Sequence, residues 1–157
     1  MRHERNAAVA RDLAAAGIET EMRFLDAETH TAKAAAEHLG VALGAIANSL
    51  VFSADGEPVL IMTSGAHRVD TEFVADRIGR GKLRRADPAM VRAATGQVIG
   101  GVAPCGHPAP VETYVDIALA EFPVIWAAGG TADSLFPLRY DQLLALTDGR
   151  EIPVEPD

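Results

Sequence analysis

Two apolar, β-branched runs joined by an Asp-Gly dipeptide constrain this chain more than any other feature. "NSLVFSA" precedes Asp55-Gly56 and "EPVLIMTS" follows it. A two-residue loop of this kind favours a type I′ turn, which needs positive φ at both positions and matches the twist of paired strands. The segment therefore predicts an antiparallel hairpin. Any fold for the chain must contain that pair, so a purely parallel sheet is excluded.

Around the hairpin, helix-like and strand-like segments alternate. Glu4–Ala16 carries Val9, Leu13 and several alanines at helical spacing and stops at Gly17. "AKAAAEHL" reads as a helix capped by Thr29 or Thr31 and closed by Gly40. "DTEFVADRI" reads as one capped by Asp70 and closed by Gly79. In "DPAMVRAAT", Asp87 caps, Pro88 takes the first helical position and Gly96 ends the run. "YDQLLALT" is a last helix, turning at Asp148-Gly149 into "EIPV". "EMRFLD" (Glu21–Asp26), "VETYVD" and "VIWAAGG" read as strands, and "SLFPLR" as a strand that Pro137 confines to an edge or a bulge. The expected fold is α/β of the mixed type: a mixed, curled sheet surrounded by helices, in one domain over residues 1–157.

The 157 residues are 48% apolar and 23% charged, as in ordinary globular chains. No run approaches the roughly 20 apolar residues of a membrane span, and the N-terminal segment is polar and of mixed charge, unlike a secretory signal. One cysteine excludes an internal disulfide, and the expected compartment is the cytoplasm. The net charge of -8 argues against unaided gripping of nucleic acid, which usually needs a basic face. The local exception is "HRVDTEFVADRIGRGKLRR", which holds six of the 14 Lys and Arg residues: Arg68, Arg77, Arg80, Lys82, Arg84 and Arg85. Such a patch suits a phosphate backbone and equally a solvated helix surface.

Familiar chemical motifs are missing. "GRGKL" lacks the spacing and the Ser/Thr of a phosphate-binding loop, and neither HExxH nor CxxC occurs. Cys105 and His107 are two residues apart, but no second pair of zinc ligands is evident, which disfavours a metal site. These two residues sit in "GGVAPCGHPAP" (Gly100–Pro110), a loop stiffened by glycine and proline. Three readings of it stay open: a Cys105/His107 nucleophile pair, half a metal site, or a backbone loop built to touch a ligand, with His107 facing that ligand.

The ordered set "THTAKAAAEHLG", "AIANSLVF", "VLIMTSGAHRVD", "ATGQVIGGVAPCGH", "YVDIAL" and "AAGG" resembles the YbaK/EbsC family, the freestanding relatives of the editing domain inserted in bacterial prolyl-tRNA synthetase. The likeness spans roughly residues 25–152. It implies a mixed, partly barrel-like sheet and a trans-editing hydrolase, free of metal and cofactor, that cleaves the ester between a wrong amino acid and the 3′ end of a tRNA, for example cysteine or alanine on tRNA(Pro). The implied partners are the mischarged acceptor end and a synthetase acting alongside. The glycine loop at Gly100, Gly101 and Val102 is implied to lie against the aminoacyl-adenosine end. Glycine lets a backbone approach a ligand closely, and fixed N–H donors stabilise the oxyanion of ester hydrolysis. Water would be the attacking group, and Cys105 would be incidental.

Two positions depart from the family pattern. Many members carry lysine where this chain has Asn48, in "IANSLVF". An amide replaces a full charge there, which weakens a phosphate contact by about 1–3 kcal/mol. Some members have serine where this chain has Ala128, just before Gly129 and Gly130, and an expected acidic residue aligns only loosely with Asp133. Asn48 thus joins Gly100 and Gly101 as a candidate catalytic residue. Thr29, His30, Ser49, Gly65, Val102, His107, Gly129 and Gly130 are candidate substrate contacts. Strand alternation places Asn48 and Ser49 on opposite faces. Asp116 reads as a cap first and a general base second. The competing function is a non-catalytic binding module for an aminoacyl-adenosine-like ligand, a nucleotide or a protein partner. A third reading is a thiol hydrolase using Cys105.

Overall fold

The structure is a computed structural model that describes residues 3–25 and 31–156. The hairpin forms as its sequence requires. Strands β2 (Ile46–Ala54) and β3 (Glu57–Ser64) pair antiparallel along their full length, and Asp55 and Gly56 take φ of 53° and 80°. β3 then carries the two-sided burial of a central strand. Leu60 and Met62 enter one apolar cluster, Val59 and Ile61 the other, as a period of two demands.

The eight-stranded sheet is mixed. Its path runs from β1 (Arg23–Phe24) through β7 (Ser134–Leu138), β6 (Ile125–Ala128), β2, β3 and β5 (Glu112–Asp116) to β8 (Arg150–Ile152). β4 (Leu83–Arg85) lies off that path, antiparallel to β2. β2–β6, β3–β5 and β5–β8 are parallel pairs. Among the described residues β1 and β8 do not pair, so the path stays open. The expected β1 strand over Glu21–Asp26 shrinks to two residues facing Leu135 and Ser134, and Asp26 lies outside the described residues. Pro137 sits on β7 beyond its two-residue pairing with β1, where a missing N–H leaves no ladder bond unmade.

Helices cover the sheet through their apolar faces. α1 (Glu4–Ala15) buries Val9 and Leu13, α4 (Pro88–Thr95) buries Val91 and α5 (Tyr140–Thr147) buries Leu143, all in the larger cluster with Val51, Leu60 and Phe136. α3 (Thr71–Ile78) puts Val74 against Phe52, Ile61 and Tyr114 on the opposite side. α2 (Ala32–Leu39) packs Ala35 and Ala36 on Ile46 and Leu135. The caps are those the side chains predict. The N–H groups of Ala34, Phe73 and Met90 donate to Thr31, Asp70 and Asp87 at 3.1, 3.0 and 2.8 Å. β4 and β8 were not foreseen. "KLRR", part of the basic stretch with no strand assigned to it, pairs Leu83–Arg85 with Ala54–Phe52.

Candidate functional site

The site begins as an interruption in one strand's hydrogen bonding. β2 gives one edge wholly to β3. Its other edge is divided: Ile46 and Ala47 pair with Trp126 and Ala127 of β6, and Phe52–Ala54 pair with β4. Between these pairings, Asn48–Val51 has no strand beside it among the described residues. The N–H of Gly65 donates to the carbonyl of Ile46 at 2.8 Å, so even-numbered residues of β2 aim their peptide groups at β3 and odd-numbered ones at the divided edge. On that edge the carbonyl of Val51 accepts the N–H of Ala86 at 3.1 Å. The N–H and C=O of Ser49 point into the gap with no backbone partner among the described residues.

Two adjoining cavities, of about 50 and 310 Å³, open at this gap. Both are walled by Thr31, Ala32, Asn48, Ser49, Gly100 and Val102. The smaller runs on to Ala35, Ile46, Ala128 and Leu135, an apolar end. The larger runs on to Arg85, Val91 and Ile99, whose side chain is half exposed at the rim. Asn48 and Ser49 do lie on opposite faces of β2, and both reach the cavities because the cavities open at the strand's edge. The Oγ of Ser49 donates to the Sδ of Met62 at 3.0 Å.

The glycine loop is held from behind. Gln97 is fully buried; its Nε2 donates to the carbonyl of Cys105 at 3.0 Å and its Oε1 accepts the N–H of Ala103 at 2.8 Å. Asp12 on α1 accepts the N–H of Gly106 at 2.7 Å. The N–H of Gly101 closes a turn on the carbonyl of Val98 at 2.9 Å. Gly100 has φ of 93°, open to glycine and to little else. The N–H groups of Gly100 and Val102 make no hydrogen bond among the described residues, and both residues line the cavities.

Gly101 is glycine for another reason. A Cβ there would lie 2.7 Å from the carbonyl carbon of Thr131, so the loop packs directly on the 129–132 segment. That segment is itself anchored to α1. The fully buried Asn6 brings its Nδ2 within 2.8 Å of the Gly129 carbonyl and 3.2 Å of the Thr131 and Ser134 hydroxyls. Gly129 and Gly130 are buried behind Ala128, where a Cβ would meet Ser134 and the Arg5 carbonyl respectively. Neither lines the cavities. Gly65 backs the wall against Ala32 and the Leu43 carbonyl. Asp133 accepts the Thr131 hydroxyl at 2.7 Å. Thr29 and His30 lie outside the described residues.

The loop histidine and cysteine serve the loop. The Nε2 of His107 meets the carbonyl of Ala103 at 2.8 Å, and burial lowers the ring's pKa. A carbonyl can only accept, so Nε2 carries the proton. Cys105 is buried in the larger core, its Sγ 3.7 Å from the carbonyl of Val9. Burial, aided by the nearby Asp12 carboxylate, pushes its thiol up to about 12. Such a thiol stays protonated, the opposite of what a nucleophile requires. Asp116 is fully buried and away from the cavities. It accepts the N–H groups of Ser64 and Ala118, each at 3.0 Å, and meets the Nδ1 of His67 at 3.0 Å. No cluster of metal-ligating side chains occurs among the described residues, and none of their helices is long and apolar enough to cross a membrane.

Sequence reasoning did not assign roles to Asn6, Asp12 and Gln97. Asn6 had a signal: it shares the face of Val9 and Leu13 at helical spacing, a polar residue on an apolar stripe.

A mixed sheet with a cleft at an interrupted strand edge, walled by a braced glycine loop, defines a small α/β domain with a candidate ligand cleft. The chain belongs to the aminoacyl-tRNA editing domain family, whose model matches residues 26–146. It is 37% identical to a protein of known structure described as a candidate trans-editing enzyme for prolyl tRNA synthetase, with a TM-score of 0.93 over 100% of both chains. It is 33% identical to the uncharacterized protein YwhH of Bacillus subtilis over 80% of each chain. Over 81% of its length it is 30% identical to a proline–tRNA ligase of Solidesulfovibrio magneticus, of which it spans only 23%.

Proposed function

We propose that this protein is a trans-acting aminoacyl-tRNA deacylase that hydrolyses the ester of a mischarged tRNA, with tRNA(Pro) as the first candidate. The observation that carries the reading is the gap at Asn48–Val51, where Ser49, Gly100 and Val102 line one cleft and their backbone N–H groups make no hydrogen bond among the described residues. The apolar end at Ala35, Ala128 and Leu135 suits a small side chain. The Ser49 peptide group suits the polar atoms of the aminoacyl ester or its ribose. The carbonyl oxygen gains negative charge as water adds to the ester carbon, and preorganised N–H donors stabilise it. Water attacks, the ester C–O bond breaks, and the ribose oxygen leaves with a proton. No protein nucleophile enters, in keeping with the protonated Cys105.

A non-catalytic binding module on the same fold is the second reading. It is favoured by one observation: no carboxylate, histidine or cysteine lines either cavity among the described residues, so no general base is evident there. Deacylation of a panel of mischarged tRNAs, including Cys-tRNA(Pro) and Ala-tRNA(Pro), separates the two. Turnover above the spontaneous rate supports the deacylase and names its substrate. Saturable binding of the same tRNAs without cleavage supports the module.

A further inference from the structure

We infer that Arg85 is the cationic anchor of the cleft and binds the phosphodiester that precedes the terminal, aminoacylated nucleoside. This inference rests on the deacylase reading, or on the module reading with an aminoacylated 3′ end as its ligand, both of which place a nucleic-acid 3′ end in the cleft.

Arg85 reaches the cleft because β4 joins β2 where the gap ends, pairing Arg85 with Phe52. Its guanidinium lies over the Phe52 ring, 5.7 Å from the centroid. That contact holds the side chain while leaving its N–H donors available. No ion pair or hydrogen bond engages it among the described residues. Arg85 is also the sole ionisable side chain among the described residues lining the two cavities. Three further cavities are lined by carboxylates: Glu19 and Glu21 near α1, joined in one of them by Arg23 and Arg139, and Asp116, Glu121 and Glu155 near His67. On a protein of net charge -8, an unpaired arginine in a cleft with no acidic residue among its described lining selects an anion.

Spacing decides which anion. The apolar end lies beside Ala47 and Arg85 beside Val51–Phe52. At roughly 3.3 Å per residue these points are about 13–17 Å apart along β2. An aminoacyl group, a ribose and the phosphate on that ribose's 5′ oxygen cover most of that length, and the arginine side chain reaches across the remainder. With the aminoacyl group at the apolar end and the ribose near Ser49 and Gly100, the phosphodiester meets Arg85.

The test uses two non-hydrolysable probes: a 3′-aminoacylamino-adenosine without phosphate, and the CCA trinucleotide carrying the same group. The wild-type protein is expected to bind the trinucleotide roughly tenfold or more tighter, the scale of one charge-assisted contact. Arg85→Gln should erase that advantage, leave nucleoside binding unchanged and reduce the salt slope for the trinucleotide by about 0.7. Arg85→Lys should restore part of it. Arg84→Gln removes the same charge from the neighbouring β4 position outside the cavities and should leave the advantage intact. Equal losses in Arg84→Gln and Arg85→Gln, or none in Arg85→Gln, overturn the inference while leaving the cleft's ligand in place. Failure of both probes to bind the wild-type protein overturns the functional reading itself, and this inference with it.

Discussion

Gly101 rests on the backbone of Thr131 with no room for a methyl group: a Cβ would stand 2.7 Å from one backbone atom and 2.8 Å from the next. Two loops far apart in sequence are thereby locked face to face, and the backbone at Gly100 and Val102 on the cavity wall is fixed by that contact. Gly101→Ala should therefore displace the loop as a whole. We expect a loss of at least tenfold in ligand affinity, together with destabilisation of about 1–3 kcal/mol, the usual cost of overpacking. Urea unfolding of the variant measures the second effect; unchanged stability would mean that the loops do not bear on each other.

Gln97 offers a cleaner way to loosen the same loop. Its amide makes both loop hydrogen bonds from a fully buried position. Gln97→Leu keeps the volume and strands the Ala103 N–H and the Cys105 carbonyl. Each buried group left unpaired costs about 1–3 kcal/mol. Hydrogen exchange at Ala103 should rise by at least tenfold in this variant, and Gln97→Glu should recover the bond to the Cys105 carbonyl only when its acid is protonated.

Cys105 and His107 give the protein opposite pH signatures. The thiol pKa is raised, so at pH above about 9 the unfolded chain holds fewer protons than the native one, and stability falls as pH climbs towards 12. His107 is lowered, so below about 6.5 the unfolded chain takes up protons that the native ring refuses, and stability falls as pH drops. Urea midpoints across pH 5–10 should show both flanks, with Cys105→Ala flattening the alkaline one and His107→Gln the acid one. Native Cys105 should resist alkylation at pH 8 and react freely in urea.

Asn48 borders both cavities from an exposed position, so a longer side chain fits without disturbing the core. Asn48→Lys should tighten binding of deacylated tRNA by roughly three- to tenfold at low salt and steepen its salt dependence by one phosphate contact. Unfolding midpoints should stay within about 0.5 kcal/mol of the parent. Binding titrations at two salt concentrations decide the matter, and an unchanged salt slope would place the lysine out of reach of phosphate.

What could be read from the sequence is what neighbours along the chain dictate. Asp55-Gly56 fixed the hairpin, Thr31, Asp70 and Asp87 fixed three helix starts, and Gly40, Gly79 and Gly96 fixed their ends, each through contacts a few residues long. The order of short motifs was enough to place the chain in its family. The cleft itself was not legible. It exists because β6 leaves β2 at Ala47 and β4 joins at Phe52, and nothing local in "NSLV" reports which distant segments flank it. The same holds for Asn6 on Gly129, Thr131 and Ser134, for Gly101 on Thr131, and for Arg85 entering the cleft. Hydrogen bonds within a turn or a cap are set by dihedral preference and so are written in the sequence. Which strand edge stays unpaired, and what lines the resulting gap, is set by how distant segments share one core, and that is decided only when the chain has packed.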